Sequence, residues 1–230
     1  MNTFSRFTLL VVVAAIAGAP LLAQGKPATG MVEDRGKFRA YLEGQPVGTE
    51  EFSISRSGSE WICRGSTQLK IPGAANEEVS SELRLAADGS PSAYQFNTKG
   101  SKKVSGAATF SGGGSTLEVK SDGTAGFTQT FQFDSGKLIV LDNNLYHHYA
   151  VLARLYDWNG KGAQTFSVLI PQDLTPGTLT VEWAGPQELD GKKYDLLRVR
   201  TSDLDVELYV TAGRLERISV PTAKVEVKRE

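Results

Sequence analysis

Strict alternation is the feature that most limits what this chain can fold into. From Gly36 onward, short runs alternate apolar with polar residues and break at glycine, asparagine, aspartate, serine or proline. Phe38, Ala40 and Leu42 oppose Lys37, Arg39, Tyr41 and Glu43. Phe52 and Ile54 share a parity, as do Val79, Leu83 and Leu85. Leu204, Val206, Leu208 and Val210 form an apolar face against Asp205, Glu207 and Tyr209. A period of two with these breaks is the pattern of antiparallel strands with one wet face. Asp-Gly pairs at 88–89, 122–123 and 190–191 predict tight hairpins. The pattern yields about fourteen candidate strands, and a sheet that long curls, splits or closes because twist accumulates. The expected fold class is therefore all-β and mainly antiparallel. It is a long curved sheet or half-open barrel, with one helix covering the concave face. Residues 36–230 read as one domain; two smaller β units meeting near residue 142 would fit the same pattern.

One segment departs from the rule. In "LDNNLYHHYAVLARLYDW", Leu145, Tyr149, Leu152 and Tyr156 fall at the spacing of one helix face. The pattern predicts a helix near 143–157, with Asp142, Asn143 or Asn144 as its cap and the "DWNGKG" run as its stop. Such a helix must lay its apolar face on a sheet.

The N-terminal 23 residues carry one charge, Arg6, followed by an apolar run from Thr8 to Ala23. This is the composition of a secretory signal peptide, with cleavage expected after Ala23. Periplasmic or secreted localisation follows, with residues 24–35 as a flexible leader. The chain from Gln24 onward holds 24 basic and 26 acidic residues. A balance so near neutral argues against nucleic acid and against strong attachment to anionic lipid heads. No second apolar run is long enough to span a membrane.

Cys63 is the only cysteine, in an alternating run, and reads as a small buried core residue. His147 and His148 are the only histidines; as helix neighbours they point about 100° apart and do not chelate one ion together. No metal site and no cofactor are expected. No G-x-S-x-G elbow is present, and "SGGGS" at 111–115 lacks the lysine and helix of a phosphate loop. Asp203, Asp205 and Glu207 read as the solvated face of a strand.

The opening "GKFRAYLEGQPVGTEEFSI", the later "LDNNLYHHYAVL" and "QTFSVLIPQ" resemble uncharacterised exported bacterial β-rich proteins, a domain of unknown function of DUF3108-like type. More distantly, the pattern is similar to the periplasmic lipoprotein-carrier fold. The resemblance implies an apolar concavity. The residues themselves suggest an apolar or amphipathic, lipid-like ligand between sheet and helix, bound by Leu145, His148, Tyr149, Leu152, Arg154 and Tyr156, with Trp158 and Trp183 as additions. The rival expectations are an envelope hydrolase using His147 or His148 as a base, and a non-catalytic structural or interaction protein.

Overall fold

The computed structural model describes residues 30–101, 103–133, 136–202 and 204–230. The expected signal peptide, residues 24–29 of the expected leader, and Asp203 lie outside the described residues. Among the described residues, fifteen strands form one sheet. In chain order they are β1 (Asp34–Leu42), β2 (Gln45–Ser57), β3 (Glu60–Leu69), β4 (Glu77–Leu85), β5 (Pro91–Lys99), β6 (Lys103–Ser111), β7 (Gly114–Ser121), β8 (Phe127–Gln132) and β9 (Lys137–Val140). The helix α1 (His147–Leu155) follows. Then come β10 (Gln164–Ile170), β11 (Thr175–Leu189), β12 (Lys192–Arg200), β13 (Asp205–Thr211), β14 (Arg214–Val220) and β15 (Val225–Arg229).

The first and last strands, β1 and β15, pair at the middle of the sheet. One arm runs outward from β2 to β8 and the other from β14 to β9. Every pair is antiparallel except β9 with β10. Parallel neighbours need a crossover, and α1 is that crossover. The helix is therefore a consequence of the topology as well as of its own periodicity.

The sheet is strongly curved and does not close into a barrel. The helix packs against β3 and against β13 and β14. β3 and β13 lie five steps apart, about 24 Å in a flat sheet. A helix about 10–12 Å across touches both only if the sheet bends around it. At the far edge, β9 meets β5, eleven steps away along the ladder, which a flat sheet would hold about 50 Å apart. Register shifts at Ala40/Tyr41, Arg84/Leu85, Trp183/Gly185 and Tyr209/Val210 mark irregularities that add local twist.

Alternation delivers the core. Val79, Leu83 and Leu85 of β4 and Val206, Leu208 and Val210 of β13 are buried. Leu204, assigned to the same face, is 38% exposed because β13 begins only at Asp205. Asp34 and Arg35, expected in the leader, already belong to β1. All three Asp-Gly pairs lie in hairpin connections, but only 190–191 forms a two-residue turn, with φ of 53° and 71°. β11 continues past Trp183 through an irregularity to Leu189. Among the described residues, no helix is long and apolar enough to cross a membrane.

Cys63 is fully buried, and burial pushes its thiol up to about 12. The thiolate is the reactive form. In native protein, Cys63 is expected to resist Ellman's reagent, releasing one equivalent only on denaturation.

Candidate functional site

The helix is docked through a buried polar cluster. On β2, Glu50 shares the inward parity of Phe52 and Ile54 and is 0% exposed. Its carboxyl Oε2 accepts the amide of His147, the first helical residue, at 2.9 Å. Its Oε1 lies 2.6 Å from His147 Nδ1. An orphan amide at the helix N-terminus is thus satisfied by a side chain from another strand. Gly65, opposite Phe52 on β3, provides the room: a Cβ there would stand 2.4 Å from His147 Nδ1 and 2.6 Å from Glu50 Oε1. Two further contacts hold the preceding loop. Thr67 Oγ1 donates to the Asn144 carbonyl at 2.6 Å, and Tyr94 of β5 donates to Asp142 Oδ2 at 2.6 Å. Asp142 Oδ1 accepts the amides of Asn143 and Gln172.

The helix is shorter than the spacing predicted, and its cap differs. The N-cap is Tyr146, without a side-chain bond. Asp142 is engaged with Tyr94, and Asn144 adopts φ 60°. Glu50, distant in sequence, takes the capping role.

Burial governs the electrostatics. It drives the Glu50 carboxyl well above its ordinary range, opposed by the amides of His147 and Tyr146. It lowers His147 to about 3, and lowers His148 strongly, with His147 beside it adding to the effect. The Glu50–His147 pair is therefore held uncharged, sharing one proton across the 2.6 Å contact. His148 Nδ1 accepts the Asp142 amide at 3.1 Å, so its proton sits on Nε2.

Neither imidazole can serve as an accessible base. His147 and His148 are 0% and 1% exposed, and their rings stand edge to face, 4.4 Å between centroids. Among the described residues, neither Nε2 has a hydrogen-bond partner, and no group of residues is arranged to hold a metal. Of the acidic strand face, Asp205 and Glu207 lie 3.7 Å from Arg200 and Arg198. These observations do not favour the hydrolase reading.

An open cleft lies at the other end of the helix. Its volume is about 530 Å³. Gly30–Met31, the 87–90 turn, residues 136–138 and residues 154–157 line it. Of the residues expected at a ligand, Arg154 and Tyr156 line this cleft. Leu145, Leu152 and His148 are buried in the packed interior, and Tyr149 is half-buried; none of these four borders the cleft. Trp158 is buried, its indole donating to the Ala153 carbonyl at 3.0 Å. Trp183 bonds Asp195 and is covered by Lys161.

Glu50 was missed by the sequence reading, though it has a signal: an acid on the apolar parity of a strand. The 87–90 turn and Lys137 had none, because only the curl brings them to the helix.

Together these elements define a β-rich, barrel-like domain. A β-barrel-like protein of the domain of unknown function DUF1849 from Brucella abortus has this fold, with TM-score 0.59 and 11% identity over 88% of this chain and 97% of that one. A DUF1089 family protein from Pseudomonas aeruginosa aligns at TM-score 0.44 and 11% identity, covering 94% and 98% of the two chains. No sequence family and no curated protein matches the chain.

Two outcomes test the cluster. Gly65→Ala is expected to destabilise the protein by about 1–3 kcal/mol in urea unfolding, since the forced shift falls on a packed polar pair. The second concerns pH. A carboxyl raised in the folded state binds its proton more tightly there than when unfolded, so its contribution to stability declines as pH rises through the folded pKa. Glu50→Gln does not titrate. Parent minus Glu50→Gln stability is therefore expected to fall between pH 5 and pH 8. A difference that stays flat across this range would contradict a raised Glu50 carboxyl.

Proposed function

We propose that this is an exported, periplasmic or secreted protein that binds an apolar or amphipathic, lipid-like small molecule in the cleft at the C-terminal end of α1. The observation that carries the reading is the cleft itself. Its size lies within the usual range of small-molecule sites, about 300–1,000 Å³. Its walls combine Met31, Leu138 and Leu155 with the polar groups of Arg154, Tyr156 and Asp157. A barrel-like β fold is compatible with such a role. The signal-like N-terminus and the resemblance to exported proteins support the location.

The site differs in place from an enclosed chamber beneath the helix. The inward face of α1 is spent on packing, with Leu152 fully buried and Leu145, just before the helix, buried beside it. The ligand would instead rest against the exit of the helix. Gly89 brings the backbone close: a Cβ there would lie 2.2 Å from Leu155 Cδ2.

The neutral probe N-phenyl-1-naphthylamine is expected to bind the purified protein at micromolar concentration, read by fluorescence. Ala87 is exposed on the cleft rim. Ala87→Trp is expected to fill the space and weaken the probe about tenfold or more, with an unchanged melting temperature. No probe binding by the parent, or equal binding by the variant, would contradict the proposal.

A further inference from the structure

Arg154 stands out among the groups at the cleft. It is 6% exposed, and it lines the open space. Among the described residues its side chain has no hydrogen bond and no ion pair. None of its guanidinium nitrogens is among the fully buried atoms without a partner, so the group reaches the open space of the cleft, where its five donors can meet an acceptor. The neighbouring charges do not supply one. Asp34 is the nearby acid, and both its oxygens are held by Arg229, at 3.0 and 2.6 Å. Arg214 is paired with Glu216 at 2.7 Å. Arg154 feels Arg229 and Arg214 as repulsion and only Asp34 as attraction; burial is the largest of the influences that lower its pKa.

The acids on the cleft wall are committed to their own turns. Asp88 accepts the Ser90 amide at 2.9 Å, and Asp157 accepts the Asn159 amide at 3.0 Å. Lys137, also on the wall, donates to the Leu155 carbonyl at 3.3 Å and so caps the helix end. The cleft therefore presents apolar surface beside one guanidinium whose donors have no acceptor.

We propose that Arg154 anchors the anionic head of the bound molecule, and that the ligand is an amphiphile carrying a carboxylate or similar acid group with its apolar tail along Met31, Leu138 and Leu155. This rests on the reading of the cleft as a ligand site. The guanidinium fork suits a two-oxygen acid, which would supply the missing acceptors.

The test compares laurate, dodecanol and acetate by titration calorimetry on the full chain and on Arg154→Lys, Arg154→Leu and Arg154→Gln. Laurate is expected to bind the parent about tenfold more tightly than dodecanol, the scale of one charged hydrogen-bonded contact. Arg154→Lys should keep most of that preference. Arg154→Leu should lose it while still binding dodecanol; Arg154→Gln gives the same readout should the leucine variant fail to fold. Equal affinity of the parent for laurate and dodecanol overturns the role of Arg154 but leaves the cleft as a site. So does a preference that survives both uncharged variants. Acetate binding as tightly as laurate overturns the amphiphile in favour of a small anion. Failure of both laurate and dodecanol to bind removes the ligand-binding reading itself, and this inference with it.

Discussion

The structure depends on one buried carboxyl. Glu50 sits on the innermost strand of the first arm, and the helix it receives belongs to the end of the second. Through it the sheet is tied across its own curl. Thr67 with Asn144 and Tyr94 with Asp142 tie the same two arms, so three strands of one arm grip one loop-and-helix unit of the other. Removing one partner of such a buried contact costs about 1–3 kcal/mol, because the other polar group is left without water or acceptor.

This explains how an unclosed sheet of fifteen strands keeps a fixed curvature. A barrel fixes its curvature by pairing its edges. Here no ladder joins β8 to β9. The helix fills the concave side, and its polar N-terminus sets the approach of the two arms. Phe52 stacks on Phe38 at 4.9 Å and faces His147 at 6.3 Å, so the apolar layer continues directly into the polar one. At the opposite end, the helix carbonyls are capped by Trp158 and Lys137. That end borders the cleft, so a rigid helix would position Arg154 relative to the space beside it.

Most of the architecture was legible because it follows from period. Most of the strands lie on runs of alternating residues, β9 and β10 on largely apolar ones, and the helix lies where the spacing changes. What the sequence could not show was set by tertiary approach. The helix start moved from Asp142–Asn144 to Tyr146 because Glu50 competes successfully for the orphan amide. Apolar spacing marked Leu145 and Leu152 as buried, though Leu145 precedes the helix instead of lying on its face, and spacing alone does not distinguish packed wall from cavity wall. Arg154 appeared as one charged residue on a helix; its want of a partner arises only from how Arg229 and Arg214 occupy the neighbouring acids.

Native-state hydrogen exchange on the helix amides tests the clamp most directly, comparing the parent with Glu50→Ala. The account predicts that Val151–Leu155 amides in the parent are protected to the same degree as those of β1 and β2, and that in Glu50→Ala they exchange much faster while the central strands retain most of their protection. Helix amides that exchange freely in the parent, or that keep their full protection without Glu50, would contradict it.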